Sequence, residues 1–595
     1  MTFKAYQNTH QMFKAAVEHS PTTPAYRWFD SNLNTQGVSW TEFSAQVDQV
    51  SKSLLALGVK KNDKVSILSN SCYHWALTDL GTVSMGAVTV GIYQSNLAKD
   101  CEYIINHSDS VLVFAEDQGQ LAKLIDIKQD ISNVIKVVLF QGESANDWVL
   151  SYKDFLDLGR GVDDAQLEIA QNNVQTEDIA TIVYTSGTTG VPKGAMLSHG
   201  NITFTTQSIL QSVDVHEGDT TLLFLPLAHV FARAILYAGL YANTVTYFNR
   251  NLDTLLEDFK LSKPHWFASV PRIYEKVYGK VNSGAEAKGG IALKLFHWAC
   301  DLGAEVSKLR LEKKSLPVVT ALKYQLASKL VFSKLHEAFG GRLRWCISGA
   351  APMNPSIARF FDGAGIPILE GIGMTENTSF SNLNRINNYR FGSVGQAGPG
   401  IEVKVATDGE FMVRGPNVMQ GYYKMPEETE KNITGDGWLL TGDLASIDDE
   451  GFVTITGRKK DLIITSGGKN VAPSAIEGLM ALSKYINQVC VIGDKRKYLT
   501  ALVTLDLEAV KEYCQVQGID YINDSVALDN VQIQALIEDE INVRNQELPS
   551  YETIKKFALV PEFTIENEAL TPTLKVKRNV VMEQYADKIE AMYQN

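Results

Sequence analysis

Long apolar runs are missing from this 595-residue chain. The nearest approach, residues 222–248, is interrupted by Pro226, His229, Arg233 and Asn243. No stretch of about 18 apolar residues remains to cross a bilayer. The first eight residues lack the apolar segment of a secretory signal, so none is expected. Cysteine is sparse: Cys72, Cys101, Cys300, Cys346, Cys490 and Cys514 are all widely separated. That spacing excludes zinc knuckles and Cys-x-x-Cys redox pairs, and it fits a reducing, cytoplasmic setting. A basic surplus is missing too. The net charge of −13 excludes a nucleic-acid binder that relies on a broad basic surface. There is no Gly-x-Ser-x-Gly elbow for a covalent serine nucleophile, no internal repeat and no low-complexity tract.

What is present is length, enough for two or more domains. From Trp40 to about Phe248 short apolar runs such as Lys64–Leu68, Ala87–Ile92 and Val111–Phe114 alternate with helical patterns such as Phe43–Leu57. This alternation implies an α/β fold with mostly parallel sheets. Residues 282–339 differ, being lysine-rich and helix-prone, with Leu295, Trp298, Leu302 and Val306 at helical spacing. A solvated helical hairpin and a membrane-surface patch are the two readings of this insertion. After Gly457 comes a charged tether, Arg458-Lys459-Lys460-Asp461. Beyond it, Pro473–Leu482 reads as a helix, and Val489–Gly493 with Leu499–Thr504 as a strand pair. The expected organisation is a large domain over 1–457, a hinge over 458–461 and a small, mobile α+β domain over 462–595.

The chemistry concentrates in short segments. A buried strand, Ile179–Val183, runs into Tyr184-Thr-Ser-Gly-Thr-Thr-Gly-Val-Pro-Lys-Gly194. Its glycines let backbone N–H groups converge, its hydroxyls add donors, and Lys193 adds charge, which suits a polyphosphate. The spacing is not that of a Walker A loop, because Val191 and Pro192 precede the lysine and Gly194 follows it. A solvated turn would explain one such cluster by itself. Further along stand Glu370-Gly-Ile-Gly-Met-Thr-Glu376, Thr441-Gly-Asp443 (read as a turn after Trp438), Gly457-Arg458 and Thr571-Pro-Thr-Leu-Lys575.

Taken in order, these five segments resemble the adenylate-forming superfamily of acyl-CoA synthetases, luciferases and peptide-synthetase adenylation domains. The resemblance runs from about Trp40 to Arg578. It is most similar to the long-chain fatty acid–CoA ligases, through Asp436–Asp443 continuing to Gly457–Ile463, through Asn470–Glu477 and through Val270–Glu275. It implies that ATP and a fatty acid form an acyl adenylate with Mg²⁺, and that coenzyme A then takes the acyl group. Transfer to a carrier protein and a non-catalytic lipid- or nucleotide-binding relative are the alternatives. Homodimer assembly stays open.

The resemblance also implies roles. Thr185, Ser186, Gly187, Thr188, Thr189, Gly190 and Lys193 would hold the β- and γ-phosphates. Thr375 would contact the α-phosphate, and Glu376, with Thr188, would bind Mg²⁺. Gly349, Ala350, Ala351, Ile372 and Gly373 would line the adenine site, while Asp443 and Arg458 would hold the ribose. Lys575 would bridge the carboxylate and the α-phosphate. His229 would sit between acyl tunnel and reaction centre, with Lys460 or Asp461 as the hinge and Ser466–Ala472 lining the thiol path. Ile372 departs from the family's usual aromatic: it keeps apolar contact but gives up stacking worth about 0.5–1.5 kcal/mol. Trp266 and Phe267 are candidates for tunnel lining or plain core. The charges explain the need for such groups. A carboxylate approaching an anionic phosphate at about 4 Å meets roughly 4 kcal/mol of repulsion at an effective dielectric near 20.

Overall fold

A computed structural model describes residues 3–185, 191–571 and 575–594. The β-branched runs of the first half form a seven-stranded sheet. Its order is Val149–Ser151, Lys136–Leu139, Ser110–Ala115, Lys64–Leu68, Val88–Ile92, Ile179–Thr185 and Lys193–Ser198. All pairs are parallel except the last. The central strands are buried on both faces, which is why they read as continuous apolar runs rather than alternating ones. The helix Trp40–Ala56 begins with a reciprocal capping box between Ser39 and Glu42 and buries Phe43, Val47, Val50 and Leu54.

A second, five-stranded sheet places Trp266–Ser269, Trp345–Ser348 and Ile368–Ile372 side by side in parallel, then Asn382–Leu383 and Gln396–Ala397 antiparallel. A mixed four-stranded sheet holds Pro24–Phe29 between Val245–Phe248 and Thr35–Ser39, with Thr220–Leu223 at its edge. An antiparallel sheet follows, in the order Glu402–Val405, Glu410–Arg414, Leu439–Ile447 and Val453–Arg458. Thr441-Gly442-Asp443 therefore lies within a strand and not in a turn. Gly442 takes φ +74° there, the local irregularity that made the tripeptide look like a turn.

The lysine-rich segment is helical: Pro271–Lys288, Gly290–Leu311, Val318–Ala327 and Ser333–Ala338, with a π turn over Ser328–Phe332. The first of these helices starts well before residue 282, at a proline suited to the first helical position. Helix Gly290–Leu311 packs Phe296, Ala299, Leu302 and Val306 toward helix Pro355–Gly363. Gly303 meets Gly363 at the crossing, where a Cβ on Gly303 would lie 3.0 Å from the Gly363 carbonyl oxygen.

The C-terminal part has its own cores. One joins Ile476, Val491, Val503, Ile537 and Leu559, and the other joins Cys490, Leu502, Phe563 and Val581. Its three-stranded sheet pairs Ile486–Ile492 antiparallel and Ile554–Leu559 parallel with Leu499–Leu505. Helix Pro473–Met480 stops two residues short of the sequence expectation, at Met480. This part touches the rest of the chain through Leu482, which packs against the large core, and through polar contacts. Arg272 donates to Asn487 Oδ1 at 2.5 Å, Lys484 reaches Glu286 at 3.8 Å, and Lys99 pairs with Glu568. Among the described residues no helix is long and apolar enough to cross a membrane.

Candidate active site

Parallel α/β sheets open their ligand crevices beyond the carboxyl ends of their strands. Here the strands Trp345–Ser348 and Ile368–Ile372 run into Gly349-Ala350 and Gly373, which line an apolar cavity. Gly373 cannot be replaced, since a Cβ would fall 1.8 Å from the Ser379 carbonyl oxygen. Ala350 takes φ +68°, an unfavourable conformation for a non-glycine residue and one that collects at functional sites. Ile372, Phe231 and Phe380 form part of the apolar wall. Trp266 and Trp345 stack at 5.5 Å with an interplanar angle of 10° and line the cavity together with Val213 and Val215. Trp266 lines the cavity. Phe267, its neighbour, points to the opposite face of the strand and packs with Phe259, Tyr274 and Phe339.

His229 also faces the cavity. It caps helix Val230–Tyr241, its Nδ1 accepting the Phe231 N–H at 3.1 Å. Burial first, and the Lys575 ammonium second, pull its pKa down to about 4, so the imidazole is neutral near pH 7. Behind it Arg233 and Asp79 form a buried ion pair at 2.6 Å, joined by the Tyr237 hydroxyl at 2.9 Å.

The polar side of the site draws on four segments. Thr375 and Glu376 occupy a short 3-10 turn, Thr375–Asn377, and both are buried. Glu376 Oε1 accepts the Tyr422 hydroxyl at 2.6 Å, and its Oε2 accepts no hydrogen bond from the described residues. Asp443 and Arg458 face each other across paired strands, with Arg458 Nε donating to Asp443 Oδ1 at 3.0 Å. Burial raises the Asp443 pKa, opposed by Arg458 and Lys575. The Lys575 side chain keeps solvent contact, and its ammonium lies within electrostatic reach of Arg458, Asp443 and Glu376. Burial first, then Arg458, lowers its pKa, while Asp443 and Glu376 oppose that shift. Residues from positions 229, 376, 443, 458 and 575 thus share one electrostatic neighbourhood.

Thr185 ends its strand and Lys193 begins the next, paired in register. Ser186, Gly187, Thr188, Thr189 and Gly190 lie outside the described residues. Lys193 pairs with Glu428 and sits 5.2 Å above the Tyr422 ring. That contact, with help from Lys431, holds the Glu428 carboxyl down at about 2. Sequence reasoning missed Glu428, Tyr422 and Trp345. Tyr422 joins Glu376 to Lys193, and nothing local to Gly421-Tyr422-Tyr423 announces that bridge. Ala351 follows Ala350 on an exposed turn, and Lys460 and Asp461 form a turn after Arg458.

A model of the AMP-binding enzyme family matches residues 13–423. The chain belongs to this family. A second model, for the AMP-binding enzyme C-terminal domain, matches residues 460–595. This AMP-binding enzyme is 35% identical over 591 residues to the long-chain-fatty-acid–CoA ligase FadD15 of Mycobacterium bovis, covering 97% of this chain and 96% of the relative. It is 32% identical to the human long-chain-fatty-acid–CoA ligase ACSBG2, covering 98% and 92% of the two chains. The A-PCP didomain of carboxylic acid reductase from Segniliparus rugosus, solved with AMP, shares the fold at a TM-score of 0.78 and 21% identity, covering 99% of this chain and 82% of that one. The AMP-binding enzyme described here is accordingly an adenylate-forming, acyl-activating enzyme with a large mixed-sheet domain and a C-terminal domain.

Proposed function

We propose that this enzyme activates a long-chain fatty acid with ATP and passes the acyl group to coenzyme A, releasing AMP and pyrophosphate. The observation that carries this reading is the apolar cavity lined by the stacked Trp266 and Trp345 and by His229, which lies within electrostatic reach of Lys575, as Arg458, Asp443 and Glu376 do in turn. An alkyl chain gains from leaving water, and its carboxylate meets cations at the mouth. The full-length similarity to proteins named long-chain-fatty-acid–CoA ligases supports the same choice.

In this reading Lys575 offsets the repulsion between the fatty carboxylate and the α-phosphate, and Thr375 donates its hydroxyl to that phosphate. Asp443 accepts from the ribose hydroxyls while Arg458 holds the carboxylate in place. Gly349, Ala350, Ala351, Ile372 and Gly373 pack about the base. The segment from Thr185 to Lys193 receives the terminal phosphates, for which Lys193 exchanges Glu428. His229, neutral and fixed by its cap, separates the alkyl chain from the reacting centre.

The free oxygen of buried Glu376 fits Mg²⁺, which takes oxygen ligands and commonly uses one or two carboxylates with phosphates and water. Thr188 is the second ligand in this proposal. When bound, the ion neutralises phosphate charge. Hinge rotation at Lys460 or Asp461, leading into Ser466–Ala472, would then exchange Lys575 for a thiol-binding surface.

The test is AMP release across a fatty-acid series from acetate to oleate, with and without coenzyme A. Each methylene the cavity accepts is worth about 0.8 kcal/mol, near fourfold in kcat/KM. A steep rise with chain length and dependence on coenzyme A are expected. A preference for acetate, or acyl transfer only to a carrier protein, would reverse the assignment.

A further inference from the structure

The segment around Tyr422 is tied by its backbone to two portions of the candidate site. On one side the Met196 N–H donates to the Gly421 carbonyl at 2.9 Å and the Tyr423 N–H to the Gly194 carbonyl at 2.8 Å, so the segment pairs with the strand that starts at Lys193. On the other the Met419 N–H donates to the Glu376 carbonyl at 2.8 Å. The Tyr422 N–H itself is held by the Thr429 hydroxyl at 2.8 Å. Tyr422 is 5% exposed and shares an apolar cluster with Val183, Leu197, Val230 and Met419, which leaves its ring little freedom.

The side chain so fixed has two polar neighbours. Its hydroxyl donates to Glu376 Oε1 at 2.6 Å, the short length of a bond to a charged acceptor. Glu376 Oε2 accepts nothing from the described residues. The ring presents its face to Lys193, whose Nζ lies 5.2 Å from the centroid, within the range of a cation–π contact. Lys193 also pairs with Glu428, which Lys431 approaches at 2.7 Å. A lysine released by Glu428 therefore keeps the ring beneath it.

Resting on the Mg²⁺ and terminal-phosphate assignments above, we propose that Tyr422 is a positioning residue for the magnesium–triphosphate unit. Its hydroxyl fixes Glu376 so that a single oxygen is offered to the ion. Its ring holds Lys193 at the start of the strand that leaves the phosphate segment. One rigid side chain thereby sets the spacing between the metal ligand and the phosphate cation. A carboxylate free to rotate would have to be immobilised on binding, at a cost in affinity.

Calorimetric binding of α,β-methylene-ATP, which adenylation cannot cleave, tests this in EDTA and in Mg²⁺. Mg²⁺ should tighten binding to the native chain. Tyr422→Phe keeps the ring and loses the hydroxyl, so affinity in EDTA should stay within about twofold while the tightening by Mg²⁺ falls about tenfold. Tyr422→Leu loses both contacts, and its affinity in EDTA should drop about fivefold as well. Tyr423, whose hydroxyl donates to Asp109 at 2.8 Å, supplies the control: Tyr423→Phe should match the native chain in both media. A native Mg²⁺ response in Tyr422→Phe overturns the proposal. So does an equal loss with and without Mg²⁺, the mark of a merely structural role. Equal affinities of the phenylalanine and leucine variants in EDTA overturn the Lys193 half. The phenylalanine variant alone is decisive should the leucine variant fail to fold. A native chain whose binding ignores Mg²⁺ defeats the Glu376 assignment and this proposal with it, whereas failure confined to the variants leaves that assignment standing.

Discussion

The Lys575 ammonium lies within electrostatic reach of Arg458, and burial with that like charge lowers its pKa while Asp443 and Glu376 oppose. The proposed role gives a split outcome. Lys575→Ala should slow acyl-adenylate formation by on the order of 10²–10³ while sparing thioester formation from supplied acyl-AMP. Separate assays of the two half-reactions check this, and equal loss in both contradicts it. The native adenylation rate should also fall on the alkaline side with an apparent pKa below the 10.5 of an ordinary lysine, a limb that the variant lacks. Seen in sequence alone, Lys575 is a lysine in a basic tail beside Lys577 and Arg578. Only its order among the other motifs marked it. Tyr422 carried no mark at all, because its contacts to Glu376 and to Lys193 reach distant segments.

The strand Ile368–Ile372 illustrates what an element can hide. Glu370 opens a legible motif, yet the strand buries it with only weak backbone donors, the Gly392 N–H at 3.4 Å and the Met353 N–H. Burial raises its pKa from 4.5 to about 7. A carboxyl raised in the folded state keeps its proton there after the unfolded chain has lost it. Stability is therefore greatest below pH 4.5, falls as pH climbs to about 7, and then levels, a loss of up to about 3 kcal/mol from this group. Glu370→Gln should raise the melting temperature near pH 8 and converge with the native chain near pH 5. A gap independent of pH counts against this account. The insertion was readable as helix from its spacing, but its seat was not. Gly303 and Gly363 cross so closely that Gly303→Val should cost about 1–3 kcal/mol in denaturant unfolding. Wild-type stability in that variant would mean the helices separate without cost.

At the level of the whole molecule, the two parts of the chain keep separate cores and meet through polar contacts together with Leu482, which packs against the large part's core. If rotation at the tether exchanges the two half-reactions, Lys460→Pro should leave adenylation within a few fold and cut thioester formation by on the order of 10²; equal effects on both would exclude a hinge there. Residue order along the chain determined the α/β alternation, the separate C-terminal part and the segments here proposed to hold phosphate and ribose. Backbone-forming patterns are local, and a reaction class is written in short segments. Packing between distant residues decided the rest. Lys193 and Glu428 meet from 235 positions apart, Trp266 and Trp345 stack only because their strands are neighbours, and one side of helix Val318–Ala327 is bare only because nothing folds over it. Such contacts depend on how remote surfaces fit, and no local pattern encodes that fit.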